Sequence, residues 1–256
     1  MKMEAIKFTL SGDAACFRKP DVNERVYFTY NNIHRVALLG LLGAILGLKG
    51  YRNERLFGEK PKEFPEFYET LSLLKTAIIP EAERGYFRKK IQYFNNSVGY
   101  ASQEEGGNLM VYEQWLENPI WTVYLIQGAL CQEMWDKLED LLSNHRCVYI
   151  PYLGRNDFPA VISGVKICEL ISAARETPMF IHSLFTGDLD MIDDSETIGD
   201  KPAYIFSESA PVALQKDYNF YAFQQLLYTN CAVENIKGDL FQDSDRIIYF
   251  FNNRAD

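Results

Sequence analysis

RVALLGLLGAILGL, residues 35–48, is the stretch on which the fold of this chain turns. Residues 36–48 form an apolar run of 13, short of the roughly 20 that span a bilayer. Gly40, Gly43 and Gly47 interrupt it at i, i+3 and i+7, which puts all three on one side of a helix. Each glycine costs a helix about 0.5–1 kcal/mol relative to alanine. Three on one face therefore imply close approach by something, either sheet backbone or a ligand, and a buried helix packed on a sheet is the plainer reading. Arg18, Lys19, Arg25 and Arg35 gather around the expected helix N-terminus, just where the polar segment TYNNIH (29–34) leads into it.

Working outward, 256 residues suffice for one large domain or two small ones with a real core. The start MKMEAIKFTLSG lacks a long apolar segment, so no signal peptide is expected, and no later stretch reads as a membrane span. Five scattered cysteines without a CxxC pair suggest reduced, partly buried thiols in a cytoplasmic protein. The net charge of −9 is uneven: residues 1–90 carry +5 and residues 91–256 carry −14. Such asymmetry points either to a polyanion on one side or to an acidic outer face beside a basic inner one in an assembly.

Alternation in EAIKFTL (4–10) predicts a strand with Ile6, Phe8 and Leu10 on one face. A basic loop at 16–24 and an extended VYFTY (26–30) precede the helix, and a charged loop at 49–65 holds Arg52, Arg55, Lys60 and Lys62. FYETLSLLKTAIIP (67–80) begins with helical spacing and ends β-branched. Residues 83–107 mix Arg84, Arg88, Lys89 and Lys90 with aromatics including Tyr93 and Phe94, and then turn-forming Asn, Ser and Gly. That composition suggests an excursion from the body, returning as a strand at 110–116. TVYLIQG (122–128) predicts a strand, MWDKLEDLLSNH (134–145) an amphipathic helix, and CVYIPYLG (147–154) and VISGVKICELI (161–171) two more strands. The order is compatible with an α+β, ferredoxin-like split βαβ body. Residues 177–256 read as an irregular acidic region with short strands near 203–206, 211–214 and 247–251.

Catalytic chemistry is thin. The three histidines, His34, His145 and His182, lie in no HExxH and in no metal-ligand spacing with the cysteines, so no metal is expected. Asp188, Asp190, Asp193 and Asp194 lack the glycine and terminal glutamate of a calcium loop and read as a solvated acidic segment. GLLGAILG is not a phosphate-binding GxGxxG, there is no Walker A sequence, and no cofactor is implied. Metal-free RNA cleavage, with a base near the 2′-hydroxyl and a cation near the leaving oxygen, is the enzymatic alternative, and His34 or Lys89 would carry it.

A binding surface is better supported. Phe17, Arg18, Lys19, Tyr30, Asn31, Asn32 and Arg35 combine cations, planar rings and amides within 19 positions, the chemistry that holds unpaired RNA. If the helix begins near Arg35, its first N–H groups offer a phosphate site, with Asn32 or His34 near the cap. The plain alternative makes the aromatics core and the cations solvated. YLGRNDFPA (152–160) presents Arg155 and Asn156 at a glycine turn, suited to phosphate or base contacts or to an ordinary capped turn.

FTLSGDAACFRKPD, TYNNIHRVALLGLLGAILGL and YIPYLGRNDFPA together resemble the fifth of the numbered CRISPR-associated (Cas) families, within the repeat-associated RNA-binding superfamily, and most closely its subtype B branch. The resemblance implies a ferredoxin-like (RRM-like) body over residues 1–176 with a β-hairpin thumb at about 84–115. A variable, irregular, β-rich acidic region, 177–256, would pack on that body. It implies a non-catalytic subunit of a type I interference complex (Cascade) that caps the 5′ handle of the guide RNA in antiviral defence. It also implies contact with the backbone subunits through the thumb and with the large subunit, with target DNA nearby. Carried onto this chain, the RNA-facing residues are Phe17, Arg18, Lys19, Tyr30, Asn31, Asn32, His34, Arg35, Arg155 and Asn156. The thumb residues are Arg84, Arg88, Lys89, Lys90, Tyr93 and Phe94. A subtype C branch cuts the precursor RNA itself; this sequence looks like the other branch. A purely protein-bridging module, driven by the acidic half, is a third possibility.

Overall fold

The computed structural model describes residues 2–20, 25–51, 63–97, 99–175, 178–199, 201–216 and 218–251. The basic residues Arg52, Arg55, Lys60 and Lys62 of the charged loop, the end of the 16–24 loop and the 176/177 boundary lie outside them.

The first half of the chain runs β1 (Lys2–Ser11), β2 (Ala14–Ala15), α1 (Arg35–Leu46), α2 (Glu66–Leu71) and β3 (Lys75–Pro80). It continues with β4 (Lys89–Asn95), β5 (Met110–Glu117), β6 (Ile120–Ile126), α3 (Gln132–Ser143) and β7 (Val161–Ser172). The rest is β-rich: β8 (Phe185–Thr186), β9 (Ile192–Thr197), β10 (Ile205–Leu214), β11 (Tyr221–Thr229), β12 (Cys231–Val233), β13 (Asp239–Asp243) and β14 (Arg246–Phe250).

One six-stranded sheet, ordered β14-β13-β7-β1-β6-β3 and antiparallel at every junction, organises the body. It nearly closes on itself, because Phe251 and Thr76 exchange backbone hydrogen bonds of 2.8 and 3.1 Å between the two outer strands. The pleat of β1 divides the core. Ile6, Phe8 and Leu10 face the helices, where they join Leu38, Leu39 and Leu42 of α1 and Leu138 and Leu142 of α3. Ala5 faces the curled side with Ala77, Tyr124, Leu170 and Phe250.

The glycine face of α1 meets the Phe67 side chain of α2 rather than sheet backbone. A Cβ on Gly43 would lie 2.6 Å from Cβ of Phe67, so the notch seats α2. Gly47 ends the helix in the left-handed region at φ 80°, as a glycine cap does.

The strand expected at 147–154 is a connector instead. Its amides at Val148 and Tyr149 donate to the carbonyls of Ile45 and Ala44, at 2.9 and 3.0 Å, in the last turn of α1, where Ala44 also accepts the Gly47 N–H at 3.3 Å. The aromatic excursion is a β4–β5 hairpin paired from Lys89↔Leu116 to Asn95↔Met110. Strand β11, hidden in the sequence, pairs with β10 and β8 in a second sheet.

Candidate nucleic-acid interface

The polar run before α1 folds inward. His34 is the N-cap of α1: its extended backbone turns the ring back so that Nδ1 accepts the Ala37 N–H at 3.2 Å. Tyr30, Phe17 and Tyr221 surround the ring edge-on at 5.2, 6.2 and 5.5 Å. Burial pushes the imidazole down to about 3, so at neutral pH it is uncharged, with its proton on Nε2. The helix N-terminus expected to await a phosphate thus carries its own cap.

Arg35 is equally internal. Nη2 donates to the carbonyls of Ser72 and Leu74 at 2.7 and 3.3 Å and Nη1 to that of Val212 at 3.2 Å, tying α1 to the exit of α2 and to β10. Burial lowers its pKa. Asn31 and Asn32 both donate to the Gly85 carbonyl, at 2.9 and 3.2 Å, while Asn32 Oδ1 accepts the Trp121 indole N–H at 3.0 Å. Phe17 packs edge-on to Trp121 at 6.0 Å. Phe17, Tyr30, Asn31, Asn32, His34 and Arg35 are all buried and hold joints of the fold, with Tyr30 and Asn31 reaching a cleft beside Lys19 and Phe17 reaching a groove along α1.

The neighbouring cations remain reachable. Arg18 is exposed and lays its guanidinium 3.4 Å over the Tyr27 ring. Lys19 pairs with Glu208 at 3.0 Å and lies 5.1 Å over the Tyr30 ring. Lys89, at the start of β4, lies 5.2 Å over Tyr86. Its pKa is lowered, chiefly by burial and further by Lys19, with Glu208 opposing. These two lysines, Tyr86, Glu208, Phe223 and Gln225 line a cleft of about 430 Å³ between the hairpin base and the β10–β11 sheet. Glu208, Phe223 and Gln225 carry no signal in the sequence, since β10 and β11 reach the cleft from the far end of the chain.

The other predicted residues divide. Gly154 needs its positive φ of 84°, and a Cβ there would sit 2.0 Å from the Cys16 carbonyl oxygen. This turn leaves Asn156 exposed, but the Arg155 guanidinium is held by Glu113 and by Asp157 at 2.9 Å. Rings of Phe94, Trp115 and Phe158 surround it at 5.4, 5.7 and 5.6 Å. Arg155 therefore latches the turn onto the hairpin, and its hydrogen bonds lower the Asp157 carboxyl's pKa. On the hairpin side Arg84 and Arg88 are exposed, Lys90 lies 3.6 Å from Glu117, and Tyr93 stacks on Tyr112 at 4.3 Å.

The chain is thus a strand-rich body carrying a β4–β5 hairpin, with a lysine–aromatic cleft at the hairpin base. More particularly, the chain belongs to the CRISPR-associated protein (Cas_Cas5) family, whose model matches residues 5–197. It is similar to a solved chain titled "CRISPR RNA-guided surveillance complex", with 14% identity over 90% of each chain and a TM-score of 0.46. A CRISPR protein from Archaeoglobus fulgidus aligns over 98% of this chain and 99% of its own, at 8% identity and a TM-score of 0.44. A structure titled "Crystal structure of Cas protein" covers 90% of this chain and 95% of its own, at 13% identity and a TM-score of 0.41. No curated protein matches the chain. Among the described residues, no helix is long and apolar enough to cross a membrane.

Proposed function

We propose that this chain is the non-catalytic subunit of a cytoplasmic type I CRISPR interference complex, of the subtype B branch, that binds and caps the 5′ handle of the guide RNA. Beyond family membership, the observation that carries the RNA assignment is the convergence of Lys19 and Lys89 in one cleft where Glu208 is the single carboxylate among the described lining residues. Each ammonium lies over a tyrosine ring. Cations for phosphates beside planar rings are what a groove for single-stranded RNA requires. A phosphate there would also favour the charged form of Lys89 against the burial that holds its pKa down. The contact set is accordingly Arg18, Lys19 and Lys89 with Tyr86 and Asn156, while the six buried residues position them.

The sequence of elements β1, α1, β3, β6, α3, β7, with strand order β7-β1-β6-β3, supports the ferredoxin-like body. The β4–β5 hairpin is the thumb toward the first backbone subunit, and the acidic C-terminal side faces protein partners, including the large subunit near target DNA. Against cleavage, the His34 imidazole is buried and its Nδ1 lone pair is engaged by Ala37 N–H, which supports a helix cap rather than a general base.

The test is purification of the assembled complex followed by RNA extraction and crosslinking. The expected result is guide RNAs sharing one 5′ segment that crosslinks to this subunit, lost on combining Lys19→Glu with Lys89→Glu. An assembled complex in which that segment touches other subunits alone would sink the proposal. A single cut in cognate repeat RNA by this purified chain in chelator, abolished by Lys89→Ala, would replace it with the nuclease reading.

A further inference from the structure

We propose that the groove along the outer face of α1 is a second nucleic-acid subsite, where unpaired bases of the same RNA strand stack on tyrosine rings. The proposal rests on the RNA reading above and extends the path of the strand beyond the lysine cleft.

The groove has a volume of about 520 Å³ and lies between α1 and the connector at 147–154. Ala37, Gly40 and Ala44 floor it, so the helix offers a trough rather than a ridge. Of the exposed large hydrophobic side chains on its rim, three are tyrosines, Tyr51 at 52%, Tyr149 at 60% and Tyr152 at 47%, and one, Ile150, is aliphatic. The connector is pinned before any ligand arrives: the Tyr149 amide donates to Ala44, and Tyr152 bridges Pro159. A preformed platform lowers the ordering cost of stacking.

Charge and continuity choose the occupant. Among the described residues lining this groove Lys49 is the single charged one and no carboxylate appears, in a chain whose net charge is −9. That lining suits a polyanionic strand. The groove lies beside the lysine cleft. Tyr221 walls the groove and Phe223 lines the cleft, two residues apart on β11 with rings 6.1 Å apart. Likewise Phe17 lines the groove and Lys19 the cleft, two residues apart in the chain. A strand whose phosphates meet Lys19 and Lys89 therefore has its next bases beside Tyr221, Tyr152 and Tyr149. Every base has a face that stacks on such rings, so the subsite is sequence-tolerant.

The experiment is photocrosslinking of the whole effector complex, assembled on guide RNA carrying thiouridine throughout its repeat-derived 5′ segment. The expected crosslinked peptides contain Tyr51 or residues 147–154. The yield should fall about tenfold or more in a Tyr149→Ala/Tyr152→Ala variant and persist when both are Phe. The salt slope of RNA binding should stay unchanged in the alanine variant, because no phosphate contact is lost. Absence of groove crosslinks from the unsubstituted complex, with Lys19→Glu/Lys89→Glu still releasing RNA, overturns the subsite and leaves the RNA reading standing. Lysine variants that retain RNA overturn both. Alanine variants that shed a protein subunit while keeping their RNA crosslinks would make the groove a protein-docking surface and overturn the proposal.

Discussion

His34 shows how one side chain changes meaning between sequence and fold. Beside Tyr30, Asn31, Asn32 and Arg35 it reads as part of an RNA-facing row, because amides, rings and cations are what RNA needs. The same groups also satisfy buried backbone. Their partners, Gly85, Trp121, Glu208 and Val212, stand far along the chain, where no local pattern announces them. The expected consequence is a pH-dependent stability. With a folded pKa of about 3 against an ordinary 6.5, His34 binds a proton in the unfolded chain before it does in the folded one. Its contribution is thus complete above about 6.5 and lost progressively as pH falls toward 3, by about 1.4 kcal/mol per pH unit well inside that window. Denaturant melts at pH 7 and pH 5 would read this slope. His34→Asn, which keeps a capping oxygen, should flatten it, whereas His34→Ala should also lose the cap, about 0.5–2 kcal/mol. Parallel pH profiles for the native chain and His34→Asn would exclude the assignment.

At the scale of elements, the run at 35–48 is a helix of nearly the length its sequence predicts, and the glycine spacing correctly signals a close approach. What approaches is Phe67, carried by α2 after a loop whose path no spacing rule supplies. The two glycines should therefore answer oppositely to alanine. Gly40 has 3.8 Å to Phe67 Cε2, so Gly40→Ala gains helix propensity, about 0.5–1 kcal/mol. At Gly43 the added methyl meets Phe67 Cβ at 2.6 Å, and that overpacking should cost about 1–3 kcal/mol. Thermal melts of the two single variants decide it, and stabilisation by Gly43→Ala would show that α2 yields freely. The connector at 147–154 reads as a strand because Val148, Tyr149 and Ile150 are strand formers. The last-turn carbonyls of α1 claim the Val148 and Tyr149 amides first. In the lysine cleft, each phosphate contact removed from a single strand lowers the salt slope by about 0.7. Lys19→Glu and Lys89→Glu should each show that loss, whereas Glu113→Gln, at the Arg155 latch, should not. Because burial and Lys19 depress the Lys89 pKa, RNA affinity should also weaken on raising pH sooner than an ordinary lysine would cause.

For the whole molecule, the alternation of β1 and the apolar strands at 122–128 and 161–171 make the central sheet legible. Its closure is not legible, because closure joins Thr76 to Phe251, far apart along the chain. Asp243 accepts from Lys7 and from the Tyr124 hydroxyl, both at 2.7 Å, and those bonds hold its carboxyl low against the upward push of burial. Phe241, Ile248 and Phe250 fill the curled side that Ala5 and Ala77 leave open. Read from composition, residues 177–256 are an irregular acidic region with short strands. In the fold, β13 and β14 are two of the six strands of the main sheet. A chain ending after Gly238 should then lose more than a local element. It leaves β7 and β3 as bare edges and uncovers the face built by Ala5, Tyr124 and Leu170. The expected outcome is aggregation, or a broad unfolding transition with dye binding in place of a cooperative one. The milder Asp243→Asn should keep the fold and lower the midpoint, because Lys7 and Tyr124 lose a charged partner at a mostly buried site. A truncated chain that melts cooperatively at the full-length midpoint would make the C-terminal strands a detachable region. The closed sheet would then owe its stability to the helices alone.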